Sequence, residues 1–169
     1  MEKNNDAVEV KRELAYLLIK IGIVIVVLWL VFAEFILVCR APDNGMYPQI
    51  KGGDLLIGFR ITGELQKDDV VVYEQEGERF VGRILGCEGD IITLDESGTV
   101  LVNGTVQTGE IMYSTYPKEG IEYPFTVEKD SVFVLGDYRS EAIDSRDFGE
   151  ISLDDVKAKV DAVFRRKDI

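Results

Sequence analysis

The sequence predicts a mainly β protein in which a single N-terminal transmembrane helix precedes an antiparallel β-domain. Two observations support this prediction. Residues 15–38 form an almost uninterrupted apolar run. The remainder consists of short segments rich in β-branched and aromatic residues, separated by Gly, Asp and Asn, with almost no helical periodicity.

The apolar run is long enough to cross a bilayer. A helix over residues 15–38 extends roughly 36 Å at 1.5 Å per residue, against roughly 30 Å for the hydrocarbon core. Its two charged residues, Lys20 and Glu34, have side chains that can reach toward the interfaces. A cleaved signal peptide and a buried core helix are the alternatives, and the length disfavours both. The large residues ahead of Cys39 also disfavour a lipoprotein signal.

The strand predictions for the second part come from seven β-rich segments. The pair Asn103-Gly104 predicts a type I′ hairpin, and Asp95–Gly98 predicts a second turn. Ser152, followed by Asp155, predicts the N-cap of one short helix before the last strand. The predicted strands are DLLIGFR at 54–60, VVVYE at 70–74, RFVGRIL at 79–85, DIITL at 90–94, TVLVNGTV at 99–106, SVFVLGD at 131–137 and AVFRR at 162–166.

The composition excludes several functions. The chain has 169 residues, a formal charge of -12, two cysteines and no histidine. Without histidine there is no Ser-His-Asp triad, Cys-His pair or imidazole metal ligand, and the usual replacement for histidine as a general base is lysine. Two cysteines cannot form a four-thiolate zinc site, so we expect neither a metal nor a cofactor. The negative charge repels phosphates, which excludes nucleic acid as a partner.

Three motifs follow the apolar run in order: PDNGMYPQIKGGDLLI at 42–57, DDVVVYEQEGERFVGRILGCEGD at 68–90 and GDYRSEAIDSRDFGEI at 136–151. In order and spacing they resemble the characteristic boxes of bacterial type I signal peptidases of the Gram-positive type. The third motif, G-D-x-R-x-x-x-x-D-S-R-x-x-G, is long and polar, which makes the resemblance specific.

The resemblance implies both the fold and the topology. It implies a coiled antiparallel β-domain of the signal peptidase I type on the outer face of the cytoplasmic membrane. Residues 1–14 would be a cytoplasmic segment, residues 15–38 the single transmembrane helix, and residues 39–169 the extracytoplasmic domain. The positive-inside rule favours this orientation only slightly, because basic residues lie on both sides of the span.

The match fails at the positions that carry the family's chemistry. In that family a serine attacks the peptide carbonyl, a lysine accepts its proton, and a second serine holds the amine in place. The corresponding positions here are Gly45, Gly82 and Ala142, none of which offers a nucleophile or a base. We therefore expect a pseudoenzyme without an intact catalytic dyad.

The residues around those positions still match the family pattern. Asp144 and Arg146 are expected to form a charge pair that preserves the shape of the site, because a buried carboxylate is tolerated when a guanidinium satisfies it. The retained scaffold positions are Met46, Pro48, Arg83, Asp137, Arg139, Asp144, Ser145 and Arg146.

The expected function is binding. Noncatalytic signal-peptidase-like proteins occur alongside sortase-assembled pili, and this chain resembles them. The resemblance implies that a secreted preprotein or pilin subunit binds in extended form beside residues 79–84, by main-chain hydrogen bonds. The protein would act as a chaperone-like pilus-assembly factor, and its other partners would be the lipid bilayer and a sortase or other pilus machinery.

Two alternatives remain open. An active signal peptidase would need a relocated nucleophile and base, for which Ser140, Ser145, Cys87 and Lys51 are the candidates. A structural, membrane-tethered domain whose cleft binds nothing is the third class. Cys39, at the membrane boundary, is a candidate for acylation.

Overall fold

The computed structural model of the chain describes residues 2–60, 63–107 and 113–165, with side chains described from residue 11 onward. The chain divides into two compact units, Met1–Phe35 and Ile36–Ile169. The second unit is the β-domain.

The first unit is one long helix, α1, which spans Glu2–Phe35. Its part from Lys11 to Phe35 is long and apolar enough to cross a membrane. The predicted transmembrane helix over 15–38 ends three residues too late. The β-branched residues Ile36 and Val38 belong instead to the first strand, where they pair with the second.

The β-domain consists of eleven strands and one short helix in the part of the chain that is described. In chain order they are β1 Ile36–Arg40, β2 Leu55–Phe59, β3 Val70–Gln75, β4 Glu78–Cys87, β5 Ile91–Leu94, β6 Val100–Val102, β7 Thr105–Val106, β8 Phe125–Thr126, β9 Ser131–Leu135, α2 Ser145–Phe148, β10 Ile151–Ser152 and β11 Val156–Phe164.

The strands form two antiparallel sheets. The larger has the order β1-β2-β11-β3-β4-β9-β10, and the smaller has the order β7-β6-β5-β8. All strand pairings in both sheets are antiparallel. The predicted fold class, an N-terminal apolar helix followed by a mainly antiparallel β-domain, is confirmed.

Local turn chemistry explains how the strands are connected. Asn103 and Gly104 have φ values of 52° and 75°, as a type I′ hairpin requires, and they join β6 to β7. The turn after β5 closes with the Gly98 amide donating to the Asp95 carbonyl at 3.0 Å. Ser152 caps a single 3₁₀ turn, Leu153–Asp155, before β11. All seven predicted β segments contain a strand, although Arg166 of the last lies outside the described residues.

The core of the domain holds the first motif in place. Met46 is 2% exposed and packs with Leu56 of β2, Val72 of β3 and Val81 of β4. The opposite side of β4 faces a second cluster that includes Ile84 and residues of β3 and β9. The strand β4 therefore lies between two apolar clusters, and its side chains are tightly constrained.

One close approach in this packing requires a glycine. A Cβ atom built on Gly82 would lie 2.5 Å from Val134 Cγ1 and 3.3 Å from the Leu135 carbonyl oxygen. Val134 is fully buried in β9. Any side chain at position 82 therefore requires Val134 to move.

We expect Gly82→Ala to lower the free energy of unfolding by about 1–3 kcal/mol, because the added methyl group overpacks the core against Val134. In the double variant Gly82→Ala, Val134→Ala, the two costs should be less than additive, since alanine at 134 removes the clashing methyl. Denaturant unfolding of the full chain in detergent measures these values.

Gly63→Ala is the matched control, since a Cβ atom at Gly63 meets nothing within 4 Å. Strictly additive costs at 82 and 134 would contradict the packing argument.

Candidate functional site

The candidate site is organised around a buried ion pair in the third motif. Arg146 donates from Nε to Asp144 Oδ1 and from Nη2 to Asp144 Oδ2, both at 2.8 Å, and both side chains are almost completely buried. Asp144 also accepts from the Gly136 amide at 3.0 Å and serves as the N-cap of α2. This carboxylate therefore ties the end of β9 to the start of α2.

Ser145 adds a second connection between the same elements. Its Oγ accepts a hydrogen bond from the Val134 amide at 2.9 Å, and the residue is fully buried. The hydroxyl therefore satisfies a backbone donor of β9 in the interior.

The structure brings positions 45 and 142 together. A Cβ atom on Gly45 would lie 3.5 Å from Ala142 Cβ and 3.0 Å from Asp43 Oδ1. The Tyr138 amide donates to the Gly45 carbonyl at 2.9 Å, and the Gly45 amide donates to Asp43 Oδ1 at 2.7 Å. The first motif and the loop of the third motif thus touch at positions 45 and 142.

Position 82 lies beside the same loop. Gly82 approaches the carbonyl of Leu135, one residue before Gly136, and the ring of Tyr73 lies 3.5 Å from its built Cβ. The Tyr73 hydroxyl is buried and has no hydrogen-bond partner among the described residues. Burial, and next the charge of Asp144, raise the pKa of Tyr73 far above its ordinary value, so the hydroxyl stays a protonated donor.

Sequence reasoning missed Tyr73. The available signal was a single polar atom within the otherwise apolar segment VVVYE, but the segment alone does not show which face of the strand meets the site.

Arg83 links the three motifs. Its Nε and Nη2 donate to Asp137 Oδ1 and Oδ2 at 2.9 and 2.7 Å, its Nη1 donates to the Asp68 carbonyl, and its Nη2 also donates to Gln49 Oε1. The hydrogen bond to Asp137 is the largest cause that raises the pKa of Arg83. This bidentate pair holds β4 to the residues that follow β9.

Three further scaffold residues have separate surroundings. Met46 is in the core, whereas Pro48 is exposed and its carbonyl accepts from Arg165 Nη2 at 3.2 Å. Arg139 is 5% exposed, and its Nε donates to the Gly136 carbonyl at 2.9 Å.

The edge of β4 is partly free. Residues Glu78–Gly82 pair with β3 on one side, while the pairing of β4 with β9 begins only at Arg83, which lies opposite Leu135. The expected peptide-binding stretch 79–84 is therefore too long, because Arg83 and Ile84 already pair with β9. In the described structure the free stretch is Glu78–Gly82.

The candidate relocated nucleophiles and base lie in different environments. Cys87 is half-buried, and burial followed by the charge of Asp90 raises the pKa of its thiol, which keeps it protonated. Ser140 is exposed, and the ammonium of Lys51 lies 5.5 Å from the centre of the Tyr47 ring. The structure does not bring Lys51 into hydrogen-bond contact with any of the candidate nucleophiles among the described residues.

The Cys39 thiol, in β1, is also half-buried, and burial raises its pKa. Within the described ranges, no group of three or more His, Cys, Asp or Glu residues is arranged to hold a metal ion.

The chain is similar to known proteins over most of its length. Residues 12–165 match the family model described as signal peptidase, peptidase S26. The chain is 30% identical to signal peptidase IB of Staphylococcus aureus over 171 aligned residues, covering 89% of this chain and 88% of that protein. It is 27% identical to thylakoidal processing peptidase 1, chloroplastic, of Arabidopsis thaliana, covering 73% of this chain and 40% of that protein.

A solved structure of a signal peptidase I from Enterococcus faecalis matches with 23% identity and a TM-score of 0.49. The match covers 57% of this chain and 97% of that one.

These relatives correct one expectation. The prediction of a pseudoenzyme, which was made from three positions, is wrong. Proteins that match nearly nine-tenths of the chain's length are named as signal peptidases. The apolar helix and these relatives together indicate a membrane-anchored protein. With its match over residues 12–165 and its relatives at 30% identity, the chain belongs to the signal peptidase family, peptidase S26.

Proposed function

We propose that this chain is a membrane-anchored signal-peptidase-like protein that binds secreted preproteins in extended form along the free edge of β4. The observation that carries the proposal is that Glu78–Gly82 pair with β3 alone, while the pairing of β4 with β9 begins at Arg83. An exposed strand edge offers main-chain donors and acceptors to a peptide that is added as a further strand.

The position of this edge supports the proposal. Gly82, at the end of the free stretch, lies beside Leu135 and the loop that carries Ala142, which in turn contacts Gly45. A peptide that follows the edge therefore reaches the place where the three motifs meet.

A pilin precursor is the specific preprotein that we propose to test first, with a chaperone-like role in pilus assembly and a sortase as a neighbouring component. The resemblance to signal-peptidase-like proteins of pilus systems supports this choice.

Peptide-bond cleavage is the second candidate function, which the names of the relatives favour. Glycine at positions 45 and 82 supplies no nucleophile and no base, so cleavage needs other groups of this chain. Incubation of the full chain with a preprotein in detergent, followed by mass spectrometry of the products, tests this candidate directly.

We expect a photo-crosslinking residue at Arg79 to capture a preprotein, because Arg79 is exposed within the free stretch. The same residue at Lys129, which is exposed and lies between β8 and β9, should capture much less. The measurement is the yield of crosslinked product from full chain, preprotein and detergent, with the mature preprotein lacking its signal segment as a second control. Equal yields at positions 79 and 129 would contradict binding along β4.

We also propose that residues 1–14 are cytoplasmic, that the rest of α1 spans the bilayer and that the β-domain lies on the outer face. Basic residues at 3, 11, 12 and 20 support this orientation. A membrane-impermeant maleimide should label Lys129→Cys in intact cells, in a background with Cys39→Ala and Cys87→Ala. Labelling only after cell lysis would contradict this orientation and place the β-domain inside the cell.

If the cleft keeps the family's geometry, supplying its chemical groups should accelerate cleavage. We expect Gly45→Ser, Gly82→Lys and Ala142→Ser, combined with Val134→Ala to make room at position 82, to cleave a preprotein about a hundredfold or more faster than wild type. The matched control carries Gly82→Met, which has similar length and no amine. A folded lysine variant that is no faster than the methionine control would show that the cleft has a different shape.

A further inference from the structure

A cavity of about 530 Å³ lies beside the site, on the loop that carries Arg139 and Ser140. Its polar lining includes three cations, Lys118, Arg139 and Arg146, in a chain whose formal charge is -12. Tyr113, Tyr116 and Pro117 supply its apolar walls. The net charge of the chain does not account for this group of cations, so the charges around the cavity must be considered one by one.

Two of these cations already have carboxylate partners. Lys118 Nζ lies 2.6 Å from Asp147 Oδ2, and Arg146 forms the bidentate pair with Asp144. Within each of these two pairs, the carboxylate offsets the charge of the cation. This leaves the guanidinium of Arg139 as the additional positive charge of the cavity.

Among the residues that the structure describes, Arg139 is buried without a carboxylate partner. Its Nε donates to the Gly136 carbonyl, its Nη1 to Thr115 Oγ1 and its Nη2 to Gln107 Oε1 at 3.4 Å, all of which are neutral oxygens. Over the described ranges, no carboxylate lies within 4.0 Å of this guanidinium. Burial is the largest cause that lowers the pKa of Arg139, and the charge of Asp144 is the largest cause that opposes it.

We infer that the cavity binds a carboxylate, namely an acidic side chain of the polypeptide that the protein receives. The anion would supply the missing counter-charge of Arg139, and the ammonium of Lys118 would add a second charge-assisted contact. A polypeptide is favoured as the source because the cavity shares its loop with Gly136 and Ala142, which lie beside the end of the free β4 edge. This identity of the ligand rests on the proposed function.

The test uses the ¹⁵N-arginine-labelled full chain in a neutral detergent. The probes are glutamate and glutamine, each blocked as the N-acetyl and C-methylamide derivative, and the readout is the Nε–H signal of Arg139, assigned with Arg139→Lys. We expect a saturable shift with blocked glutamate and at least about tenfold weaker binding of blocked glutamine. Because these probes do not require the β4 edge, failure here is distinguishable from failure of preprotein binding.

Variants separate a built site from a general charge effect. Lys118→Gln should weaken the binding of blocked glutamate severalfold, whereas Lys129→Gln, which removes the same charge from a 79% exposed side chain, should not change it. Equal affinity for the two probes, or equal effects of the two lysine variants, would overturn the inference. So would a shift of the Arg139 signal by phosphatidylglycerol in phosphatidylcholine bicelles but not by blocked glutamate, which would identify a lipid ligand.

Discussion

The buried carboxylate of Asp144 is the interaction on which the rest of the site depends. It satisfies the Gly136 amide, the Arg146 amide and two guanidinium N–H groups, and it begins α2 as its N-cap. A carboxylate removed from water needs this many donors to remain stable. Because these donors come from both ends of one loop, residues 136–146 have a defined path, and that path places Ala142 against Gly45.

Glycine at 136 is the steric counterpart of this constraint. A Cβ atom there would clash with Ala142 Cβ and would lie 2.6 Å from the Gly45 carbonyl oxygen. The loop, the first motif and the end of β9 can approach one another only because that atom is absent. The Arg83–Asp137 pair then holds β4 to the same loop, so one set of polar contacts positions all three motifs.

Most strands could be predicted from the sequence, because the residue patterns that indicate them lie within each segment. Alternation of β-branched residues and the positive-φ pair Asn103-Gly104 depend on neighbours in the chain, and the structure has strands at all seven predicted segments. The boundary at Phe35 could not be predicted in this way. Ile36–Val38 are as apolar as the helix before them, and only pairing with β2 makes them part of a strand.

The details of the site depended on contacts between distant residues. The sequence predicted a peptide-binding stretch at 79–84, but Arg83 and Ile84 pair with β9, which leaves an unpaired edge only at Glu78–Gly82. The residues at the three family positions also led to the wrong prediction of a pseudoenzyme. Relatives that match nearly the whole chain are named as signal peptidases. Tyr73 and Arg139 became notable only when their burial and partners were known.

The net charge of the chain and the charge around the site also differ. The net charge of -12 favours a basic partner, whereas Arg139, which has no carboxylate partner among the described residues, favours an anionic one. Salt screens exposed charges over about 8 Å at physiological ionic strength, while buried groups interact in a medium of much lower dielectric constant. Charged groups at the rim and in the interior of the cavity therefore act on a ligand there more strongly than the acidic surface does. The balance of charge around Arg139, rather than the total for the chain, determines which ligand the cavity favours.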